Sequence, residues 1–185
     1  MTKLLPASVF ALATVAAMAT HTAAAQSPIS LRSSIFAGPA FPTGDNKNAL
    51  NTGFTGGAAV DVGAPLLPLG LRADASYTYF GLQSGSGFSG NSSDVSGRIN
   101  AVLGIPMLIV SPYVIGGLGM YHLMSSASYG GLGGSGSTNK TGWNIGAGID
   151  LPLLVFSARI EARYHNVSTS GGSYTYLPVT VGIRF

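Results

Sequence analysis

Phe156-Ser-Ala-Arg-Ile-Glu-Ala-Arg-Tyr-His165 alternates without a break. Phe156, Ala158, Ile160, Ala162 and Tyr164 fall on one side of an extended chain. Ser157, Arg159, Glu161, Arg163 and His165 fall on the other. A period of two is the mark of a β-strand lying between two unlike surroundings. The polar side carries ionised groups of both signs, and the apolar side carries none.

The pattern recurs about eight times along the chain. Ile29–Phe41 puts Ile29, Leu31, Ile35 and Ala37 against Ser30, Arg32 and Ser34. Phe54–Gly63 sets Phe54, Ala58, Val60 and Val62 against Thr55, Gly57 and Asp61. Leu69–Phe80 sets Leu71, Ala73, Ala75, Tyr77 and Tyr79 against Arg72, Asp74, Ser76 and Thr78. Asp94–Gly104 sets Val95, Ile99, Ala101 and Leu103 against Asp94, Ser96, Arg98 and Asn100. Tyr113–Met124 is apolar or glycine on both sides, with Val114, Leu118 and Met120 taken as the outer set. Gly142–Leu151 sets Trp143, Ile145, Ala147 and Ile149 against Asn144, Gly146, Gly148 and Asp150. The last segment places Leu177, Val179, Val181, Ile183 and Phe185 opposite Thr180, Gly182 and Arg184. Pro178 has no N–H for a ladder bond, so a bulge is expected there, with consequences for the register of Tyr174 and Tyr176.

The connections alternate in kind. Ala64–Pro68, Ile105–Pro112 and Pro152–Val155 are short and contain proline, and Pro65, Pro106 and Pro152 mark a hairpin repeat. Pro42–Gly53, Gly81–Ser93, Ser125–Thr141 and Asn166–Ser173 are longer and polar. Three turns at one end and four loops at the other suit eight up-and-down strands.

Alternation alone does not say which face points inward; the charges do. Arg32, Arg72, Arg98, Arg159, Arg163 and Arg184, with Asp61, Asp74, Asp94, Asp150 and Glu161, all lie on the polar register. A wetted outer face would carry lysine, yet the chain's lysines are Lys3, Lys47 and Lys140, outside the expected strands. Arginines nearly balanced by carboxylates read as an enclosed network. An Arg facing lipid at mid-depth costs roughly 2–4 kcal/mol, so the charges face a lumen and the apolar stripe faces lipid. Phe54, Tyr77, Tyr79, Trp143 and Tyr164 then point outward at the loop ends of their strands, and Phe156 and Phe185 at the turn ends. That is the arrangement of interfacial aromatic girdles.

Composition supports a membrane setting. Of 185 residues only 8% are charged, about a third of the usual ~25%. There is no cysteine, which removes disulfides and thiolate metal sites, and no basic cluster that could follow a nucleic acid backbone. Residues 1–25 read as a cleaved export signal, with Lys3, an apolar run from Leu4 to Ala19, and Ala23-Ala24-Ala25 before Gln26. Past it no apolar run reaches the ~18–20 residues a spanning helix needs. A closed barrel over residues 26–185 is the remaining membrane solution.

The closing stretch Leu177-Pro-Val-Thr-Val-Gly-Ile-Arg-Phe185 resembles the last strand of bacterial outer-membrane β-barrels. Leu71-Arg-Ala-Asp-Ala-Ser-Tyr77, Pro112-Tyr-Val-Ile-Gly-Gly-Leu-Gly119 and Gly142-Trp-Asn-Ile-Gly-Ala-Gly-Ile-Asp150 resemble strands of the opacity-like, OmpA-barrel-like eight-stranded group. The resemblance implies an all-β, eight-stranded antiparallel transmembrane barrel in a Gram-negative-type outer membrane. It also implies that the barrel-assembly machinery reads the strand ending at Phe185. The group includes adhesins and structural anchors, so the likeness specifies architecture far better than activity.

No catalytic, cofactor-binding or metal-binding set is expected. His165 and Ser168, the types used by lipid-modifying barrels, are three apart and would face opposite sides of a continued strand. His122 has no second ligand at metal spacing. Gly131-Leu-Gly-Gly-Ser-Gly136 matches a dinucleotide string but lacks a following helix. The N-x-S/T strings at Asn91, Asn139 and Asn166 fall in expected loops, and Asp45-Asn-Lys-Asn48 is too poor in carboxylates for calcium. An eight-stranded lumen is just wide enough for side chains to fill, so the ion network is expected to plug and brace it rather than act as a gate or proton path. The expected role is structural or surface interaction, with outer-membrane lipids and a surface or host ligand at the loops as partners. The alternatives are a conduit or binder for small hydrophobic molecules, for which Gly116, Gly117 and Gly119 leave space, and a lipid-modifying enzyme.

Overall fold

A computed structural model describes residues 29–63, 68–83, 88–105, 107, 109–129, 132–153, 155–169 and 171–185. The expected export signal at residues 1–25 lies outside them, as do Pro65 and Pro106 of the turns. Eight strands close into one barrel in chain order: β1 Ser30–Pro42, β2 Gly53–Gly63, β3 Leu69–Gly81, β4 Phe88–Gly104, β5 Ser111–Tyr129, β6 Leu132–Pro152, β7 Ser157–Thr169 and β8 Gly172–Arg184. Each pairs antiparallel with its neighbour, and β1 pairs with β8 to close the cylinder. The up-and-down barrel expected from the alternation is the observed fold.

The faces sort as the charges require. On β3 the exposed residues Leu71, Ala73, Ala75, Tyr77 and Tyr79 alternate with buried Arg72, Asp74, Ser76 and Thr78. Ile99 and Leu118 are 70% and 71% exposed, whereas Arg72 and Arg98 are 2% and 5% exposed. A soluble barrel would show the reverse. On β5, whose two faces were hard to separate, Val114, Leu118 and Met120 do point outward, and the inner face carries Tyr113, Ile115 and Tyr121. Phe54 sits opposite Tyr79 across β2 and β3, and both are exposed, as are Tyr77, Trp143, Phe156 and Phe185. Tyr164 is half-buried against Trp143, with ring centroids 5.8 Å apart.

Three departures stand out. First, strands at the loop end run further than their alternation. The expected loop Ser125–Thr141 is mostly the β5–β6 hairpin, paired out to Tyr129↔Leu132, and β4 starts at Phe88 instead of Asp94. Asn91, Asn139 and Asn166 therefore lie on β4, β6 and β7 and not in loops, and Lys140 lies on β6. Beyond the bilayer both faces of a strand meet water, so no period of two is written there. Second, no bulge occurs at Pro178. Ala162↔Val179 on one side of it and His165↔Tyr176 on the other keep one register, as do Ala37↔Val181 and Ala40↔Pro178. The ladder skips the missing N–H without inserting a residue, so Tyr174 and Tyr176 share the inner register with Thr180. Third, the first loop is ordered: Gly44–Asn48 form a 3-10 helix, and Asn46 donates from Nδ2 to the Thr175 carbonyl at 3.2 Å.

Two inner glycines show how tightly the inside is filled. A Cβ at Gly57 would lie 2.7 Å from Phe36 Cζ, and one at Gly148 would enter the Tyr113 ring. Small residues on one strand leave room for large ones on the next. Replacing Ile99, at mid-height on the outer wall, by Arg is expected to cost about 2–4 kcal/mol of stability in lipid vesicles, read by urea titration. Gly134→Arg, on the projecting part of β6, should leave the same titration unchanged.

Candidate functional site

The inner polar registers meet in the lumen and join into one chain of ion pairs. It runs Arg184, Asp150, Arg159, Asp61, Arg72, Glu161, Arg163, Asp74, Arg98. Three links follow from strand register: Asp61↔Arg72, Asp74↔Arg98 and Asp150↔Arg159 are directly opposed across neighbouring strands. Three others cross the lumen. Arg72 Nη1 on β3 donates to Glu161 on β7 at 2.6 Å, Arg163 on β7 reaches Asp74 on β3 at 2.9 Å, and Arg159 reaches Asp61 on β2 at 3.3 Å. Arg163 also pairs with Glu161, and Arg98 with Asp74.

Neutral groups complete the network. The Tyr113 hydroxyl donates to Glu161 at 2.8 Å, and the Arg72 and Arg159 guanidiniums each lie over its ring, 5.3 Å from the centroid. Asn100 Nδ2 donates to Asp74 at 2.7 Å, and Arg98 donates to the hydroxyls of Ser76 and Ser96. Burying an unpaired ion costs several kcal/mol; here each ion of the chain meets an opposite charge.

Toward the loop end the filling changes from ionic to aromatic. His165 stacks on Tyr176 at 4.7 Å with the rings 2° from parallel, and Tyr121 hydrogen-bonds His165 Nδ1 at 3.0 Å. The Tyr176 hydroxyl donates to buried Asp94 at 3.3 Å. Phe80 meets Tyr176 and Tyr174 edge-on, and Ala40 and Leu50 pack into the same cluster. Leu50 belongs to the first loop, which thereby folds over the mouth. These inner aromatics are absent from the sequence-based reading of aromatics as girdle. For Phe80 the signal was available, since it shares a parity with Arg72, Asp74, Ser76 and Thr78; Tyr121 lies on a strand with no polar register to mark it.

The residues singled out from sequence do not converge. His165 is buried in the lumen while Ser168 is exposed on the opposite face. His122, on the outer face, hydrogen-bonds Asn139 at 2.6 Å. Leu132–Gly136 of the glycine string are part of β6, with Gly131 outside the described residues, and Asp45–Asn48 fall in the 3-10 helix. The space beside Gly117 and Gly119 holds the Asn100 side chain and the Arg98 stem. A gap of about 10 Å³ remains in mid-lumen among Thr55, Ser76, Arg98, Arg163 and His165, at the lower limit of what admits one water. A cavity of about 230 Å³ opens at the turn end, and an apolar groove of about 610 Å³, lined by Leu103, Val114, Ala147, Ile149 and Ile160, runs along the outer wall.

Asp74 is the inner carboxylate on which Arg98 and Arg163 both depend. Asp74→Asn leaves buried Arg98 without an ion-pair partner among the described residues and Arg163 with Glu161 alone, and is expected to cost about 3–5 kcal/mol. The loss would be read from the urea midpoint of the refolded barrel, with exposed Asp45→Asn as the unaffected comparison.

A sequence model of the family described as outer membrane protein beta-barrel domain matches residues 8–185. No curated protein matches the chain significantly. Among solved structures, Neisserial surface protein A (NspA) superposes with a TM-score of 0.61 at 16% identity, over 84% of this chain and 97% of its own. Ail, the attachment invasion locus protein of Yersinia pestis, gives 0.56 at 22% identity over 86% and 100%. A major outer membrane protein from Thermus thermophilus gives 0.55 at 16% identity over 84% and 98%. Ail is also known in complex with the heparin analogue sucrose octasulfate. Such identities carry the fold, while the family match covers nearly the whole chain and agrees with the closed eight-stranded barrel, its apolar outer wall and its ionic interior: this chain belongs to the outer-membrane β-barrel domain family and resides in the outer membrane.

Proposed function

We propose that this protein is a non-conducting, non-catalytic barrel whose work is done by the surface it displays at its loop end. The observation that carries the reading is the projecting sheet of β4, β5 and β6. Pairing between β5 and β6 continues to Tyr129↔Leu132, but β6 meets β7 only from Gly142↔Val167. Among the described residues, Leu132–Thr141 thus has a strand on one side and none on the other. A strand edge of that kind exposes a row of N–H and C=O groups, to which an extended segment of a partner can add. Apart from exposed Leu132 at the tip, the residues there are Gly, Ser, Thr, Asn and Lys140, so the backbone supplies most of the contact.

In this family short turns face the periplasm and long connections face outward, which puts the sheet outside the cell. An export signal at residues 1–25, a mature domain of residues 26–185 and delivery through the barrel-assembly machinery complete the reading. The filled interior supports bracing over transport. A conduit or binder for small hydrophobic molecules finds less support, because the spaces beside Gly117 and Gly119, though not that beside Gly116, are taken and Leu50, Phe80 and Tyr176 pack at the loop end. A lipid-modifying role finds less still, with His165 and Ser168 on opposite faces.

Refolded protein in planar bilayers is expected to give no steady conductance; porin-sized steps would overturn the filled-lumen reading. Replacing residues 126–139 by a two-residue turn is expected to leave the barrel's circular dichroism and urea midpoint intact while abolishing binding to cells or extracellular matrix. Undiminished binding by that variant would reject the projecting edge as the contact surface.

A further inference from the structure

The cavity of about 230 Å³ at the turn end is at the opposite pole from the projecting sheet. Its charged walls are Arg32 of β1, Asp61 of β2, Arg72 of β3, Asp150 of β6, Arg159 of β7 and Arg184 of β8. Four guanidiniums therefore face two carboxylates, and both carboxylates are already shared. Asp61 accepts from Arg72 and Arg159, and Asp150 from Arg159 and Arg184. Glu161, just inside, balances Arg72 and Arg163.

What is left over is donor capacity. The Arg72 side chain is 2% exposed, yet its Nη2 has no hydrogen-bond partner among the described residues. Arg184 Nε is buried and likewise unpartnered. Arg32 lines the cavity, is exposed, and makes no ion pair with any described residue. Buried donors left unsatisfied are costly and rare in folded proteins. Two of those found here belong to guanidiniums that line this one cavity, where arginines outnumber carboxylates four to two.

We propose that this cavity is a binding site for a phosphate-type dianion, either inorganic phosphate or a phosphomonoester. Arg72 Nη2, Arg184 Nε and the Arg32 guanidinium would be its donors. Planar guanidinium forks match the oxygens of such an ion, and its two charges equal the local excess. A single chloride would satisfy one direction and leave the others bare. Leu69 and Ile105 at the rim continue the lipid-facing wall, so the anion can arrive free in solution or as the headgroup of a lipid phosphate monoester in the adjoining leaflet.

The test uses the full refolded chain in nanodiscs of phosphatidylcholine. Inorganic phosphate is titrated calorimetrically at low ionic strength into the wild type, Arg32→Gln, Arg184→Gln and, at the opposite pole, Lys47→Gln. A parallel series replaces part of the lipid with phosphatidic acid and follows thermal unfolding. The expected result is saturable one-site binding, weakened about tenfold or more by Arg32→Gln or Arg184→Gln, which is about 1.4 kcal/mol or more, and unchanged by Lys47→Gln. Circular dichroism checks that each variant is a folded barrel, and Arg32, being exposed and unpaired, can be removed without disturbing the ion chain. Protection by phosphatidic acid alone, lost in Arg32→Gln, would keep the site and assign the headgroup as its source. Absence of saturable binding in both series, or equal binding by wild type and Arg32→Gln, would overturn the proposal.

Discussion

The interior ion chain, with an arginine at each end, is the constraint on which the rest of the barrel depends. It can exist only inside a closed cylinder, because its cross-lumen links join β7 to β2 and β3 on the far wall. Buried charges of this kind contribute little net stability when compared with a well-packed apolar filling, and they are severely destabilising when one partner is missing. Their effect is therefore to select one register. A slip by one residue on a strand that carries an ion of the chain would send its arginine or carboxylate toward lipid and bring apolar side chains against the remaining ions.

Packing follows from the same requirement. Arginine side chains reaching across a narrow barrel need room, and the inner glycines provide it: Gly117 beside Asn100, Gly119 beside the Arg98 stem and Gly148 against the Tyr113 ring. The abundance of glycine, 27 residues in all, thus includes inner positions that take no side chain because a neighbouring strand supplies one. Where the ions end, the aromatic layer of Tyr121, His165, Tyr176, Phe80 and Tyr174 takes over, and Leu50 from the first loop seals it. The filled cylinder carries the β4–β6 sheet as an extension of its wall.

The two poles of the molecule consequently differ in chemistry. At the loop end, polar strands with small side chains offer backbone hydrogen bonding and little charge. At the turn end, guanidiniums outnumber carboxylates around an open cavity. Neither feature requires the barrel to conduct or to catalyse, and both use surfaces that a side-chain-filled lumen leaves available.

Within the bilayer, much was legible from sequence because lipid and lumen impose opposite demands on successive residues. Arg72, Arg98, Arg159 and Glu161 betray the inner face by their charge, and Ile99 and Leu118 the outer one by their lack of it. The neighbour-strand pairs of the ion chain are implicit in the hairpin order. Outside the bilayer that demand vanishes: Ser125–Thr141 has no sorted faces, so its composition resembles a loop although its backbone is paired as a hairpin. The unbroken register at Pro178, the inward turn of Tyr174 and Tyr176, the crossing of Arg72 to Glu161 and the donors left over around the turn-end cavity were decided only by closure. Each depends on residues brought together across the cylinder, and period-two alternation encodes which face a residue occupies, not which residue it will meet there.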